Sequence, residues 1–413
     1  MGVLRACCQT RWTAVVAAVV ATLAAVTPAF TAGALTGPIT DDLEVSSASF
    51  GLALALFFAA TALGSPVSAR LAEHLGAAPQ FGIATVLAGA VMAGIGAVSS
   101  LAALALLLTI GGLANSLVGP AAGLVLGSVV SERRLSLASG LVQAALAAPP
   151  LSAGLVVRFL AEPYGWRLAF PVGGALVALS AGACVLARGL APDWRREDSG
   201  VTGSPVVGPE DAPGTAFKAS ATGRGVLLLW ALGASFGTVG VTATASFLVP
   251  IATTGGFPVA TAGLLALAAG AIAAIVRVGA GLLADLRPRA NLVAVSGMML
   301  AGGAGLAVMA LGTPQTFLAG ILVVVVGLWG WNGLLVASAV RLLPGSPARS
   351  LGVLQVGFFS GATAAPLLFG TLSEAVGVGG ALLALAASAA AAALAIAAGE
   401  LRRRRLLELQ KGA

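Results

Sequence analysis

Charge is scarce in this chain. Only 9% of its 413 residues are Asp, Glu, Lys or Arg and 58% are hydrophobic, where a soluble domain carries about 25% charged residues. A water-facing surface cannot be built from that composition, so a soluble globular protein is excluded. Cysteine is limited to Cys7, Cys8 and Cys184, which offer neither a disulfide framework nor the spacing of a metal site. The lone histidine, His74, falls between two apolar runs and leaves no cluster to hold a metal. No Ser/His/Asp, metal or phosphate-loop constellation is present, so an enzyme is not expected and no cofactor is implied. Lysine is nearly missing as well: Lys218 and Lys411 stand against 20 arginines. With so much alanine and glycine, that bias points to a GC-rich bacterial genome.

What fills the chain is apolar sequence. Runs of 18 or more residues, each long enough to cross a bilayer, recur from end to end. With glycine, proline and charge as punctuation, twelve spans are expected at about 12–34, 50–69, 81–98, 103–130, 137–159, 168–188, 224–250, 261–284, 291–312, 316–340, 350–372 and 379–399. The first resembles a secretory signal, with Arg5 and Arg11 before an apolar region and "TPAFTA" like a cleavage site. Keeping it as a span gives an even count and a coherent charge pattern.

If both termini are cytoplasmic, nineteen of the 22 basic residues lie in inside segments and only Arg158 and Arg167 lie outside. That is the positive-inside distribution of a multi-pass protein of the bacterial cytoplasmic (inner) membrane. The net charge of +7 is spread over these connections. It is not gathered into an aromatic-lined stripe, so nucleic acid is not an expected partner. All fifteen acids also fall at span ends or between spans. The expected organisation is a six-helix bundle at 1–188, a flexible cytoplasmic linker at 189–223, a second bundle at 224–399 and a basic tail at 400–413.

Shifted by 212 residues, the distance from Pro38 to Pro250, the two halves align. "PI" at Pro38 meets "PI" at Pro250, Gly51–Leu52 meets Gly263–Leu264, and "LAE" ending at Glu73 meets "LAD" ending at Asp285. "GLVQ" at Gly140 to Gln143 meets "GVLQ" at Gly352 to Gln355. Six spans repeated in the same orientation make two parallel halves around a central cavity, an arrangement of secondary transporters.

One basic residue, Arg277 in "IAAIVRVGAGLLAD", is left inside a span. A central arginine costs about 2.5–3.5 kcal/mol on insertion scales and persists where it meets water, a partner or a ligand. No acid is at its depth, and Asp285 is eight residues on, about 12 Å along a helix. Its repeat equivalent is Ser65, so the helix position does not itself demand arginine. A guanidinium grips a planar carboxylate with two parallel hydrogen bonds, which makes a small organic anion the expected ligand. The alternatives are snorkelling to the interface and hydrogen bonds to backbone carbonyls of a neighbouring helix. Asn115, Gln143, Asn332 and Gln355, with Trp329 one turn from Asn332, are the expected companions of Arg277 in a substrate site. For the amides the alternative is helix-to-helix hydrogen bonding, and for Trp329 simple packing. Trp166 and Arg167 are expected as interfacial anchors.

"GLLADLRPR" (Gly281 to Arg289) resembles the loop signature of the major facilitator superfamily, and "ARLAEHLGAA" is a degenerate first-half copy. "SERRLSLASG" (Ser131 to Gly140), "YGWRLAF" (Tyr164 to Phe170) and "RVGAGLLAD" are similar to segments of its monocarboxylate transporter branch and the oxalate:formate relatives. The resemblance implies an all-α membrane protein of twelve transmembrane helices in two parallel six-helix repeats. It implies a secondary active or facilitated carrier of a monocarboxylate-like anion, working by alternating access as a monomer. It also implies gating residues at the cytoplasmic face: Asp285 near the start of span five and Glu73 near the start of span eleven, grouped with Arg133 and Arg134. The branch's aspartate one turn before the arginine is Ala273 here, and its span-one and span-eleven lysines are missing. Proton and counter-anion coupling both stay open. A multidrug exporter of the same superfamily predicts an intramembrane carboxylate, and a membrane sensor predicts a folded output domain; neither feature is in the sequence.

Overall fold

A computed structural model of the chain describes residues 2–147, 157–189, 221–286 and 291–411. Nearly all of the expected linker lies outside the described residues. Among the described residues the chain is helical and carries no strand, and nine helices are long and apolar enough to cross a bilayer. Helix is the required solution at membrane depth, because each backbone N–H and C=O must find its partner within the segment. The longest, Pro347–Lys411, contains spans eleven and twelve, divided at Gly377 where φ is 75°. Gly165, its repeat equivalent, turns the corner before Trp166–Gly189 with φ 86°. Side chains rarely adopt that left-handed conformation, so glycine is needed at both corners.

Two spans are interrupted, which the apolar pattern did not signal. Span four is divided into Leu101–Ser116 and Val118–Ser128 at Leu117. Span ten is divided into Pro314–Gly327 and Asn332–Leu342, with turns at 328–330. Leu117 and Trp329 are 212 residues apart, so the breaks obey the internal repeat.

Three apolar cores follow from the packing. One runs through the first half alone, with Phe50, Phe57, Met92, Leu104 and Phe170. A second runs through the second half alone, with Leu248, Leu306, Phe317, Val324 and Phe369. The third is built from both halves, and joins Ala18, Phe81, Val125 and Ala138 to Trp230, Leu335, Leu354 and Ile396. Spans one, three to five and seven to twelve contribute to the shared core, each from the end nearer the face that carries the chain termini, here called the terminal face. The halves are therefore packed together at that face and keep separate cores toward the other.

Small residues allow this close packing. A Cβ added at Gly140 of span five would come within 2.5 Å of the Arg277 carbonyl oxygen on span eight. At the repeat-equivalent Gly352 of span eleven it would come within 3.1 Å of the Ser65 carbonyl oxygen on span two. Gly140→Val should therefore wedge the seam between spans five and eight and destabilise the protein by roughly 1–3 kcal/mol. Gly263→Val, where a Cβ meets nothing within 4 Å, should leave the thermal unfolding midpoint in detergent unchanged; equal midpoints for the two variants would contradict this packing.

Candidate functional site

Arg277 lies nine residues before the end of the helix Val259–Leu286, about 13 Å along its axis, close to mid-depth in a hydrocarbon core of roughly 30 Å. It stands where the separate cores give way to the shared one. Ala273, one turn before it, belongs to the second half's own core, while Ala280 and Ala284 pack on the shared core. The residue is 6% exposed. Its Nε donates to the Trp329 carbonyl oxygen at 2.8 Å, and its Nη1 to that of Gln143 at 2.9 Å.

Both acceptors stand at irregularities in their helices. Trp329 lies in the break of span ten, and span five tightens into a 3-10 turn at Ala145–Ala147 directly after Gln143. A carbonyl left unmatched at membrane depth costs several kcal/mol; the guanidinium donates to that of Trp329 and adds a second donor to that of Gln143, which also accepts from the Ala145 N–H. One bond stays within the second half; the other crosses to the first. Among the described residues no carboxylate pairs with Arg277, and its Nη2 has no hydrogen-bond partner.

The expected companions divide between roles. Gln143 meets Arg277 through its main chain, and its side-chain amide has no partner among the described residues. Gln355 is bound on the other seam, where Ser65 Oγ donates to its Oε1 at 2.9 Å. Ser65 and Gln355 are the repeat equivalents of Arg277 and Gln143, so one pair of positions meets on both seams with different chemistry. The Gln355 amide packs directly on Gly119, in the space a Cβ would fill. Asn115 Nδ2 donates to Thr61 Oγ1 at 3.3 Å, an interhelical bond to span two. Asn332 is buried, and its Oδ1 has no partner. Trp329 acts through its carbonyl, and its indole Nε1 donates to Thr244 Oγ1 at 2.9 Å. Phe58 and Phe359 stack at 6.2 Å across spans two and eleven.

Trp166 is not a surface anchor. It is 6% exposed and meets Phe170 edge-on, because the corner at Gly165 turns its ring into the first half's core. Arg167 lies over that ring and ties the segment to the Val98 carbonyl and the Asp42 carboxylate, each at 2.6 Å.

At the terminal face, Asp285 accepts from the backbone N–H of Ser136 at 2.8 Å and of Leu137 at 2.9 Å. These are orphan donors in the first turn of Leu135–Ala144, where a carboxylate also meets the positive end of the helix dipole. Glu73 accepts instead from Arg349 Nη2 at 2.7 Å and Nε at 3.0 Å. Arg349 is the repeat equivalent of Leu137, so the second latch replaces a main-chain donor with a side chain. Arg133 and Arg134 lie in the short turn Glu132–Arg134, exposed and without an ion pair among the described residues. The arginine that does reach across is Arg341, bonded to Ser136 Oγ at 3.1 Å and 3.6 Å from Asp285 Oδ1. Arg341 and Arg349 looked like ordinary positive-inside residues; the 212-residue shift, which sets Arg349 on Leu137, is the signal that could have singled out the second. Glu73→Arg or Arg349→Glu alone should loosen the contact between spans two and eleven at the terminal face. The double exchange should restore it, as read by the thermal unfolding midpoint in detergent; a double variant no better than the singles would exclude the ion pair as a latch.

Residues 13–348 match the family model described as Major Facilitator Superfamily. The crystal structure of the human organic anion transporter MFSD10 (TETRAN) superposes with a TM-score of 0.70 at 15% identity, covering 94% of this chain and 99% of that one, a likeness of fold. No curated protein sequence matches the chain. The family match spans most of the sequence and agrees with the twelve-helix, two-repeat architecture, and so the chain belongs to the major facilitator superfamily, whose members move small molecules across the lipid bilayer.

Proposed function

We propose that this transporter carries a small organic anion, monocarboxylate-like in size and charge, by alternating access, with Arg277 as the anion-binding residue. The observation that carries this reading is a buried cation near mid-membrane that has, among the described residues, neither a carboxylate partner nor a hydrogen bond at Nη2. Backbone carbonyls stabilise the guanidinium by hydrogen bonding but leave its charge uncompensated, and an anion entering between the separate cores would supply the countercharge. The human protein of the same fold is an organic anion transporter, which agrees in the sign of the cargo. Among the described residues, the side-chain amide of Gln143 and the Oδ1 of Asn332 are without a partner and offer further polar groups. Asp285 with Arg341, and Glu73 with Arg349, hold the terminal face closed, and Arg133 and Arg134 add positive charge at its rim.

By the distribution of arginine, the terminal face is cytoplasmic and the membrane is the inner membrane of a bacterium. No acid lies in mid-span in the sequence, so the coupling modes that fit are uniport, anion exchange and entry of a proton on the substrate itself. A second reading is favoured by the same two hydrogen bonds: Arg277 pins the interrupted helices and touches no cargo. Uptake into proteoliposomes of a panel of short mono- and dicarboxylates separates the two. Arg277→Ala should abolish uptake, and Arg277→Lys, which keeps the charge but loses the fork, should raise the half-saturation concentration roughly tenfold, about 1.4 kcal/mol. Wild-type uptake by both variants would leave the pinning role alone.

A further inference from the structure

We infer that Thr244 of span seven is a positioning residue for Arg277, acting through the indole of Trp329; the inference rests on the anion reading above only for its effect on transport. Thr244 is fully buried. Its hydroxyl donates to the Gly240 carbonyl at 2.7 Å, which leaves the oxygen free to accept. An indole N–H can only donate, so the bond from Trp329 Nε1 to Thr244 Oγ1 has a fixed direction. The main chain of the same tryptophan then presents its carbonyl to Arg277 Nε. Four spans are thereby joined in sequence: seven through Thr244, ten through Trp329, eight through Arg277 and five through the Gln143 carbonyl.

The Trp329 bond is not the generic fate of an indole in this protein. Trp230 Nε1 and Trp331 Nε1 are both buried without a partner, the second of them only two residues away in the same break. Residues 328–330 are turns with no regular helical hydrogen-bond ladder to fix the direction of each carbonyl. The indole supplies that anchor. Span seven itself departs from helical geometry at Phe247, with φ −111° and ψ 15°, one turn beyond Thr244. Thr244 therefore stands on the regular part of the helix, one turn before its kink. Removing the hydroxyl should free the break to turn, release the Trp329 carbonyl and let the guanidinium leave its present orientation.

The test uses the full chain in lipid nanodiscs and phenylglyoxal, an arginine-selective dicarbonyl, with labelling at Arg277 followed by mass spectrometry and Arg349 as internal reference. Thr244→Val, nearly isosteric, and Trp329→Phe should each speed labelling of Arg277 by roughly three- to tenfold, the loss of one buried hydrogen bond. The double variant should go no faster than the faster single, because both break one chain, and Thr244→Ser should label like wild type. Unchanged labelling in Thr244→Val, a double variant that multiplies the singles, or a serine variant no slower than valine would overturn the inference. In uptake of the best-carried carboxylate of the panel, Thr244→Val should raise the half-saturation concentration by a similar factor with the maximal rate held within about twofold; a fall in maximal rate alone would also count against it. Labelling needs no cargo, so the outcomes separate. If Arg277→Ala transports like wild type while labelling responds as expected, the anion reading falls and the positioning of Arg277 stands. If labelling does not respond while Arg277→Ala is inactive, only this inference falls.

Discussion

An interrupted helix at membrane depth must find donors for the carbonyls it exposes, and much of this structure is arranged around that constraint. Spans four and ten break at repeat-equivalent points, and span five tightens just past Gln143. Water cannot satisfy such groups inside a packed bundle. Arg277 donates to two carbonyls beside these irregularities and binds span eight to spans five and ten. The charge scarcity of the sequence and the one charge placed deep in the membrane are thus two sides of one physical fact.

The repeat gives the second organising constraint. Equivalent positions meet on both seams, Arg277 with Gln143 and Ser65 with Gln355, and equivalent glycines let the helices approach. The same duplication places Asp285 and Glu73 at matching corners, each meeting the start of a helix in the other half. Shared geometry with unshared chemistry is what a duplicated scaffold permits, since backbone approach is set by small residues while side chains above them are free to differ.

Much of the architecture was legible in the sequence because lipid imposes a simple code of length and hydropathy. The 212-residue register matched the two latch acids, and the resemblance set each near the start of a span in the other half; the corners at Gly165 and Gly377 and the contact between Arg277 and span five were not read from the sequence. The helix breaks were missed because hydropathy averaged over a whole span hides their local punctuation, Asn115, Ser116, Gly119 and Pro120 around Leu117 and Gly327, Gly330 and Asn332 around Trp329. Trp329 was read as a companion in the site or as simple packing, when its carbonyl and indole N–H are the groups in use, and Thr244 went unnoticed as one threonine among many. Trp166 misled because an aromatic beside an arginine near a span end looks like an interface anchor, whereas the corner at Gly165 turns it inward.

The two seams differ in kind at the terminal face. Between spans five and eight the carboxylate of Asp285 is 6% exposed and grips backbone amides, while between spans two and eleven the Arg349 side chain is 58% exposed. Mobile ions screen the second and scarcely reach the first. The halves are therefore fastened unevenly, as by a hinge on one side and a clasp on the other, and the ionic strength of the surrounding solution acts on the clasp alone.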